Sequence, residues 1–304
     1  MIDINNLPVL ILAHSRADKF ANCIKNIYEF GIRNIYIFID GPRNERDSNQ
    51  QKMILEEYYK YSKKFNLKLN KLDKNLGNRD AVNYALNWLF RNETYGVILE
   101  DDLYLSSNCF LAFSKLLKKY QLDTNIMSLS SYSPFIDKEK AGIFFSPVFT
   151  SWGWATWKDK WEEHQNFIKK YRKKSMHKLF NLLPKKYRNK EIIEIVKSCQ
   201  LRYLDAFDYE YNFTHLALGY SSVTITGINM FNFGFDEAAA FCKDKSKFPF
   251  IDRYLDQEID ISKIYKITDI ELLKTLNQAG IYKNKEKSFK FYFFQKLLLT
   301  FSSF

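Results

Sequence analysis

The chain of 304 residues has few of the residues on which several protein classes depend. Its four cysteines form no Cys-x-x-Cys pair and are too sparse for a disulfide scaffold, which indicates a reducing compartment. Its four histidines show no His-Glu-x-x-His spacing, which argues against a zinc-hydrolase site. The sequence therefore excludes the small secreted scaffolds and disfavours the common zinc enzymes.

Long hydrophobic runs are also missing. No stretch reaches the roughly 18–20 apolar residues that a membrane-spanning helix needs. The first residues, MIDINNLPVLILAHSR, lack a basic segment and carry Asp3, so their short apolar run is predicted to be a strand and not a signal peptide. We expect a cytoplasmic protein, either free or held peripherally on the inner membrane.

Apolar side chains and positive charge are abundant. The chain is 46% apolar and 17% aromatic, which is enough for a large core in one or two domains. Lysine and arginine outnumber aspartate and glutamate by 46 to 35, so the net charge is +11. This balance favours anionic partners: phosphorylated substrates, an anionic membrane or nucleic acid.

Apolar runs and amphipathic stretches alternate along the first 135 residues, as in a doubly wound α/β domain. The predicted strands are 8–13, 34–39, 67–72, 97–99 and 126–129, and the predicted helices are 17–30, 48–64, 79–91 and 107–120. Further on we expect a strand over 144–150, basic helices within 165–198, a pair of strands over 222–233 and a short helix within 262–278. The predicted units are an α/β half (1–135), a second half of mixed structure (136–260) and a basic, aromatic extension (261–304).

The most informative segment is Val97-Ile98-Leu99-Glu100-Asp101-Asp102-Leu103, in which a strand-forming run ends in three carboxylates. Ligands of open α/β sheets bind beyond the carboxyl ends of strands. Adjacent carboxylates repel one another unless a cation lies between them, and hard divalent cations bridge carboxylates to substrate phosphates. The segment indicates a site for a metal and a diphosphate, with a solvated acidic turn as the alternative.

Two other predicted strands end in polar residues at the same edge of the sheet. Arg16 follows the first strand and could pair with a phosphate, whereas Asp40 follows the second and could accept a hydrogen bond from a base or ribose. The loop Lys74-Asn75-Leu76-Gly77-Asn78-Arg79 precedes a helix, and such a helix start can hold an anion. Arg79 is therefore a further candidate ligand, with a purely structural loop as the alternative.

Two aromatic segments lie in the second half. Four of the five tryptophans fall within residues 152–161, where Trp152, Gly153 and Trp154 could form a stacking surface for a sugar or part of a second core. In LRYLDAFDYEYNF, aromatic residues surround three acidic residues: Asp205, Asp208 and Glu210. Reduced solvation raises a carboxyl pKa towards values useful for base catalysis, although a helix with solvated acids has the same composition.

Seven segments occur in one order: PVLILAHSR, IFIDG, the loop near Gly77, VILEDDLYLS, SPVFTSWGWATWKDKW, AFDYEYNF and INMFNFG. In that order they resemble bacterial sugar transferases of the GT-A fold from capsule and lipopolysaccharide loci. They are also similar to the animal N-acetylglucosaminyltransferase that begins complex N-glycans. The resemblance covers roughly residues 7–235. It implies an α/β fold in which a Rossmann-like nucleotide-binding sheet joins a mixed acceptor-binding half.

The resemblance also implies an inverting, metal-dependent transfer from a nucleotide sugar, a UDP-sugar in the first instance, to a hydroxyl of a cell-surface glycan. Asp102 matches the direct ligand of Mn²⁺ or Mg²⁺, and Glu100 and Asp101 match residues near the sugar and ribose. Arg16 would contact the nucleotide and Asp40 the uracil.

Asp208, in Phe207-Asp208, matches the position of the catalytic base in this family. The family motif more often begins with tryptophan than with phenylalanine, and Tyr209-Glu210 follows directly, which leaves Glu210 as a rival base. The loop over 74–79 departs furthest from the family pattern.

Two other functions are compatible with the residues. A protein could bind nucleotide sugars without catalysis, although the complete acidic triplet and the candidate base argue against this. A nucleic-acid-binding protein would share the charge and the aromatics, but no RRM, KH, zinc-finger or helix-turn-helix pattern is present. The tail from Lys287 to Phe304 mixes lysines with large apolar residues, as an interfacial helix does. It suggests an anionic membrane surface and a lipid-linked acceptor, with docking on the catalytic core as the alternative.

Overall fold

In the computed structural model the described residues are 2–63, 65–133, 141–188, 192, 195–197, 199, 205–227, 229–235 and 257–266. Their strands are β1 (Val9–Ala13), β2 (Asn34–Ile39), β3 (Asn66–Lys71), β4 (Tyr95–Glu100), β5 (Leu103–Leu105), β6 (Ile126–Ser130), β7 (Ile143–Ser146), β8 (Trp154–Trp157), β9 (Ser221–Ile225), β10 (Met230–Asn232) and β11 (Ile264–Tyr265). The helices are α1 (Ala17–Glu29), α2 (Glu45–Ser62), α3 (Asn78–Leu89), α4 (Ser107–Lys119), α5 (Lys158–Tyr171), α6 (Met176–Leu182) and α7 (Asp208–Leu218).

Among the described strands, nine form one sheet in the order β11-β7-β9-β6-β8-β4-β1-β2-β3. The four strands β3, β2, β1 and β4 are mutually parallel. β8 is antiparallel to both of its neighbours, β4 and β6, and joins the parallel strands to a mixed region. The predicted fold class, a Rossmann-like parallel half joined to a mixed half as in the GT-A fold, is confirmed.

Helices cover both faces of the sheet, as a doubly wound arrangement requires. On one face, α1 buries Phe20, Ile24 and Ile27 against β1 and β2. On the other face, α3 buries Leu86 and Leu89 in a second core. The helical period of the apolar residues therefore predicted both packing faces correctly.

The carboxyl ends of the parallel strands meet at one edge. Ala13 is paired with Ile39, and Leu12 is paired with Glu100, so β1, β2 and β4 end at the same level. The residues that follow them start their loops from a common edge, as the sequence predicted.

The pairing of the two late strands was predicted wrongly. β9 lies in the large sheet between β6 and β7, whereas β10 pairs with β5 in a separate two-stranded sheet. Closeness in sequence suggested a hairpin, but the strands complete different sheets. β8 was missed because it has only four residues and runs directly into α5, so its apolar run is too short to be told from a helix start.

Two predicted features lie outside the described residues: most of the segment 262–278 and the tail from Lys287 to Phe304. None of the helices that are described combines the length and apolar content of a bilayer crossing. The tail and its membrane contact stay predictions.

Two buried histidines fix α7, whose first residue is Asp208. His215 Nδ1 donates to the Tyr211 carbonyl at 2.9 Å, and the Ser128 hydroxyl donates to His215 Nε2 at 2.9 Å. His164 Nδ1 lies 2.8 Å from Thr214 Oγ1 and connects α5 to α7. Burial lowers the pKa of His164 to about 3 and that of His215 to about 4.

Acid should therefore destabilise the fold. Both histidines are neutral in the folded chain but bind protons near pH 6.5 once unfolded. Between pH 6.5 and the folded pKa values, each lowers the free energy of unfolding by about 1 kcal/mol per pH unit. Urea unfolding from pH 7 to pH 4.5 should show a shallower acid loss for His215→Gln than for the wild type. His177→Gln, at an exposed position, should keep the wild-type slope; equal slopes in all three proteins would contradict this account.

Candidate active site

Arg16 and the acidic triplet form the charged centre of the site. Glu100 ends β4, and Asp101 and Asp102 occupy the turn into β5. The loop after β1 places Arg16 beside them, with its Nη1 2.6 Å from Asp102 Oδ2 and its Nη2 against Asp101 Oδ1. One guanidinium thus bridges two carboxylates that are only 1% and 5% exposed.

The triplet carries more negative charge than Arg16 neutralises. Burial raises the pKa of Asp101 to about 6, although the charge of Arg16 acts in the opposite direction. Burial, and then the charge of Asp102, raise the pKa of Glu100 to about 8. Burial acts to lower the pKa of Arg16, but Asp101 and Asp102 outweigh it, so that the guanidinium stays charged. Further positive charge would be stabilised here.

The triplet has the donor atoms that a hard divalent cation prefers. Asp101 Oδ2 and Asp102 Oδ1 are buried and have no hydrogen-bond partner. Within the described part of the chain no group of three or more acidic, histidine or cysteine side chains forms a cage for a metal. Magnesium-type sites commonly use one or two carboxylates and take their other ligands from water and substrate phosphate. The two unpartnered carboxylate oxygens fit that kind of site.

A cavity of about 540 Å³ lies above the strand ends. The polar residues that line it include Glu100, Asp101, Asp102, Arg16 and Asn232, and the apolar ones include Leu12, Phe38, Ala81 and Val82. Exposed residues at its rim are Arg43, Asn44 and Arg46. This volume lies within the range of small-ligand pockets.

The carboxylate of Asp40 holds the loop before α3. Its Oδ1 accepts from the backbone N–H groups of Gly41 and Leu76, at 2.8 and 2.9 Å. Its Oδ2 accepts from Gly77 N at 3.2 Å and from Asn75 Nδ2 at 2.8 Å. Asp40 lies at the cavity as predicted, but its carboxylate accepts these four hydrogen bonds from the protein itself and so has a structural role.

The start of α3 is occupied by Asp205. Its two carboxylate oxygens accept from Asn78 N at 2.8 Å and from Arg79 N at 2.9 Å. A Cβ on Gly77, where φ is +79°, would lie 2.4 Å from Asp205 Oδ2. The helix start that could have held an anion therefore holds a side chain from the second half of the chain. Sequence alone could not show this, because the two partners are far apart along the chain.

Arg79 and Glu210 form an ion pair in the interior. Arg79 Nη1 lies 3.3 Å from Glu210 Oε1, and both side chains are almost fully buried. Arg79 Nε also donates to the Ala206 carbonyl at 3.2 Å, and Arg172 lies 3.9 Å from Glu210. Neither Arg79 nor Glu210 lines the cavity. The structure separates both from the residues around Asp102.

Asp208 begins α7 and is half-buried. Burial raises its pKa to about 6, although hydrogen bonds to backbone groups and the charge of Arg79 act to lower it. Its charge also contributes to the raised pKa of Glu100, which places the two carboxylates within electrostatic range. A carboxylate with this pKa is ionised at neutral pH and still able to accept a proton.

The tryptophan segment is divided between cavity and core. Trp152 lines the cavity, with Tyr132 at 4.7 Å and Phe235 at 5.8 Å between ring centroids. Trp154 is 1% exposed and stacks on Phe207 at 5.7 Å, directly before Asp208. Gly153 makes the tight turn between them at φ +66°, where a Cβ would lie 2.5 Å from Ser131 Oγ. Trp152 is thus accessible to a ligand, whereas Trp154 supports α7.

The segment Asn232-Phe233-Gly234 crosses the triplet, a placement that sequence analysis missed. Phe233 N donates to the Asp102 carbonyl at 2.8 Å, and Lys19 Nζ donates to the Phe233 carbonyl at 3.0 Å. Gly234 N donates to Asn232 Oδ1 at 2.6 Å, which turns the Asn232 amide nitrogen the other way. In the sequence this segment stood out only as part of INMFNFG, and nothing in those residues indicated contact with the triplet.

Comparison with known proteins finds only distant structural resemblances. No family model matches the chain, and no curated protein matches it. A mannosyltransferase, PcManGT from Pyrobaculum calidifontis, in complex with GDP-Man and Mn²⁺, is 15% identical over 52% of this chain and 46% of that chain, with a TM-score of 0.37. S. aureus TarS 1–349 is 10% identical over 72% of this chain and 57% of that chain, with a TM-score of 0.39. HddC from Yersinia pseudotuberculosis is 12% identical over 50% of this chain and 77% of that chain, with a TM-score of 0.33.

The chain thus spans about half the length of the first two of these structures, 46% and 57%. Function is argued below from the site itself.

Gly234→Ala should disturb the triplet directly, because its Cβ would lie 2.1 Å from Asp102 Oδ2 and 2.9 Å from Asn232 Oδ1. We expect overpacking to lower the free energy of unfolding by about 1–3 kcal/mol and to abolish Mn²⁺ binding in a titration with UDP present. In Gly219→Ala, a control, the added Cβ meets nothing within 4 Å, although φ is +76°. That variant should lose about 1–2 kcal/mol to backbone strain and keep its Mn²⁺ affinity. Unchanged Mn²⁺ binding in Gly234→Ala would contradict the geometry.

Proposed function

We propose that the chain is a glycosyltransferase that moves a sugar from a nucleotide-sugar donor to a hydroxyl of a glycan. The observation that carries the proposal is the buried acidic triplet at the carboxyl edge of the parallel strands, with Asp101 Oδ2 and Asp102 Oδ1 unpartnered beside a cavity of about 540 Å³. Ligands of this fold class bind at that edge. Excess negative charge there favours a cation, and a cation favours a diphosphate.

Residues of the first half would bind the donor. Arg16 would contact the diphosphate, since a guanidinium matches phosphate oxygens well. Arg43 and Arg46, at the rim, add positive charge where the nucleotide would enter. Glu100 and Asp101 would face the sugar and ribose. Asp40 would act indirectly by holding the backbone of Asn75–Gly77 in place.

Asp102 would hold a divalent cation, Mn²⁺ or Mg²⁺. When bound, such a cation supplies Lewis-acid stabilisation of the departing diphosphate. Asn232 and Gly234 would keep the Asp102 carboxylate in place from above.

The acceptor would approach from the side of α7. Its hydroxyl oxygen forms a bond to the anomeric carbon as the bond from that carbon to the diphosphate breaks on the opposite face, which inverts the configuration. Asp208 takes the hydroxyl proton. Trp152 would stack on the acceptor or donor sugar, because an aromatic face suits the apolar face of a pyranose. Arg79, Trp154 and Glu210 support the site from the core.

The donor base, the acceptor and the location are proposed from the sequence. A uridine nucleotide follows from the resemblance of the motifs, and a capsule or lipopolysaccharide glycan follows from the same source. A cytoplasmic enzyme that meets a lipid-linked acceptor at the inner membrane accounts for the basic, aromatic tail. The alternative is a protein that binds nucleotide sugars without transferring the sugar. A turnover assay distinguishes the two functions.

Donor binding should be measurable as stabilisation. At a hundredfold excess over Kd, a bound nucleotide sugar adds about 2.7 kcal/mol to the free energy of unfolding. We expect a panel of nucleotide sugars to raise Tm, and Mn²⁺ to enlarge the rise. Asp102→Asn should lose the part that depends on Mn²⁺, whereas Asp73→Asn, at an exposed position outside the cavity, should keep it. If no nucleotide sugar stabilises the protein at any Mn²⁺ concentration, the proposed function is wrong.

Asp208 and Glu210 should fail in different ways. Asp208→Asn should keep donor binding and stability but lose transfer by about 10²–10⁴-fold, because the amide cannot accept the proton. Glu210→Gln should lower the free energy of unfolding by about 3–5 kcal/mol, since it removes the buried negative charge that lies 3.3 Å from Arg79. Urea unfolding and initial rates measure both effects.

The pH profile gives a second test of the base. Because the pKa values of Asp208 and Asp101 are both raised to about 6, wild-type transfer should fall as pH drops below about 6 and the two carboxylates become protonated. The residual activity of Asp208→Asn should fall less steeply, because only Asp101 then contributes to this limb. A stable, inactive Glu210→Gln beside an active Asp208→Asn would instead make Glu210 the base.

A further inference from the structure

The position of Arg16 is unusual for a residue proposed to bind phosphate. Its guanidinium points into the acidic triplet, with Nη1 2.6 Å from Asp102 Oδ2 and Nη2 against Asp101 Oδ1. The side chain is 22% exposed, so one face of it remains open to the cavity. In this arrangement Arg16 occupies the place of a counter-cation for the two carboxylates.

The neutralisation by Arg16 is incomplete. Each of the two carboxylates gives one oxygen to Arg16 and keeps a second that is buried and without a partner, Asp101 Oδ2 and Asp102 Oδ1. Glu100 adds a third carboxylate at the same cavity. A divalent cation would therefore find free ligand atoms here, and it would also meet a fixed positive charge.

Arg16 cannot relieve that repulsion by losing its proton, because a guanidinium stays charged in proteins. It must keep an anionic partner or find a new one. Arg16 is the residue before α1, in the loop that leaves β1 at the cavity edge, so its side chain can reach the cavity from where it stands. An incoming diphosphate offers oxygens that a guanidinium can bind in bidentate geometry.

We propose that Arg16 couples the binding of a divalent cation to the binding of the nucleotide diphosphate. Without ligand, Arg16 holds Asp101 and Asp102 as an internal counter-ion and disfavours cation binding. With a diphosphate present, Arg16 transfers to the phosphate oxygens and releases the carboxylates to the cation. Each ligand then raises the affinity for the other by the same factor, as linkage requires. The inference rests on the proposed function, because it takes a nucleoside diphosphate as the ligand of the cavity.

The test is a binding cycle with Mn²⁺ and UDP, without turnover. The EPR signal of free Mn²⁺ gives Mn²⁺ affinity with and without UDP, and calorimetry gives UDP affinity with and without Mn²⁺. For the wild type we expect weak Mn²⁺ binding alone and coupling of about 10–100-fold, which is within the usual range for linked sites. In Arg16→Gln, Mn²⁺ should bind more tightly without UDP, UDP should bind more weakly with Mn²⁺, and the coupling factor should approach one.

Two further variants separate coupling from simple charge or folding effects. Arg46→Gln removes a rim arginine that makes no contact with the triplet in the structure, so it should weaken UDP and leave the coupling factor unchanged. Arg16→Lys keeps a positive charge without the fork that bridges two carboxylates, and it should show intermediate coupling. It also provides a folded comparison if Arg16→Gln proves unstable.

Three results would overturn the inference. If Arg16→Gln weakens Mn²⁺ binding in the absence of UDP, Arg16 positions the carboxylates and does not compete with the cation. If the coupling factor is the same in Arg16→Gln and the wild type, Arg16 does not transmit it. If UDP binds but Mn²⁺ binds to no form of the protein, the coupling is wrong, while sugar transfer that persists in EDTA would leave the proposed transferase function standing.

Discussion

Repulsion among three carboxylates at the end of one strand is the constraint on which the site depends. The strand order brings Glu100, Asp101 and Asp102 to the shared edge, and burial denies them water that would screen their charges. Arg16 neutralises part of that charge. The remaining negative charge favours the binding of cations, and of anions that bind together with a cation. The fold places these residues at the carboxyl edge of the parallel strands, and their excess negative charge determines which ligands can bind there.

Two other carboxylates at the cavity have a structural role. Asp40 and Asp205 accept hydrogen bonds from the backbone N–H groups of four consecutive residues, Leu76 to Arg79. Asp40 follows β2 in the parallel half, and Asp205 lies just before α7. The loop before α3 is therefore held by both halves of the chain.

Sequence patterns predicted the alternating first half well, because each strand there is apolar and each helix has one apolar face. They also predicted that the triplet, Arg16 and Asp40 lie at one edge of the sheet, since the carboxyl ends of parallel strands meet there. They failed where the information is not local. The Asp205 cap on α3, the Arg79–Glu210 pair and the segment 232–234 over Asp102 each join residues far apart in the chain. β8 was missed because it has only four residues and runs directly into α5.

The central place of β8 bears on how the chain can be made and divided. A fragment ending near residue 135 would contain every parallel strand from β1 to β4, but it would leave the β4 backbone from Tyr95 to Ile98 without its partner. An open apolar edge of that kind pairs readily with other chains. During synthesis on the ribosome, the edge of β4 stays unpaired until β8, which ends at Trp157, has emerged. The early strands therefore depend on a later strand to complete their sheet. The first 135 residues thus need sequence from beyond them to complete the pairing of β4.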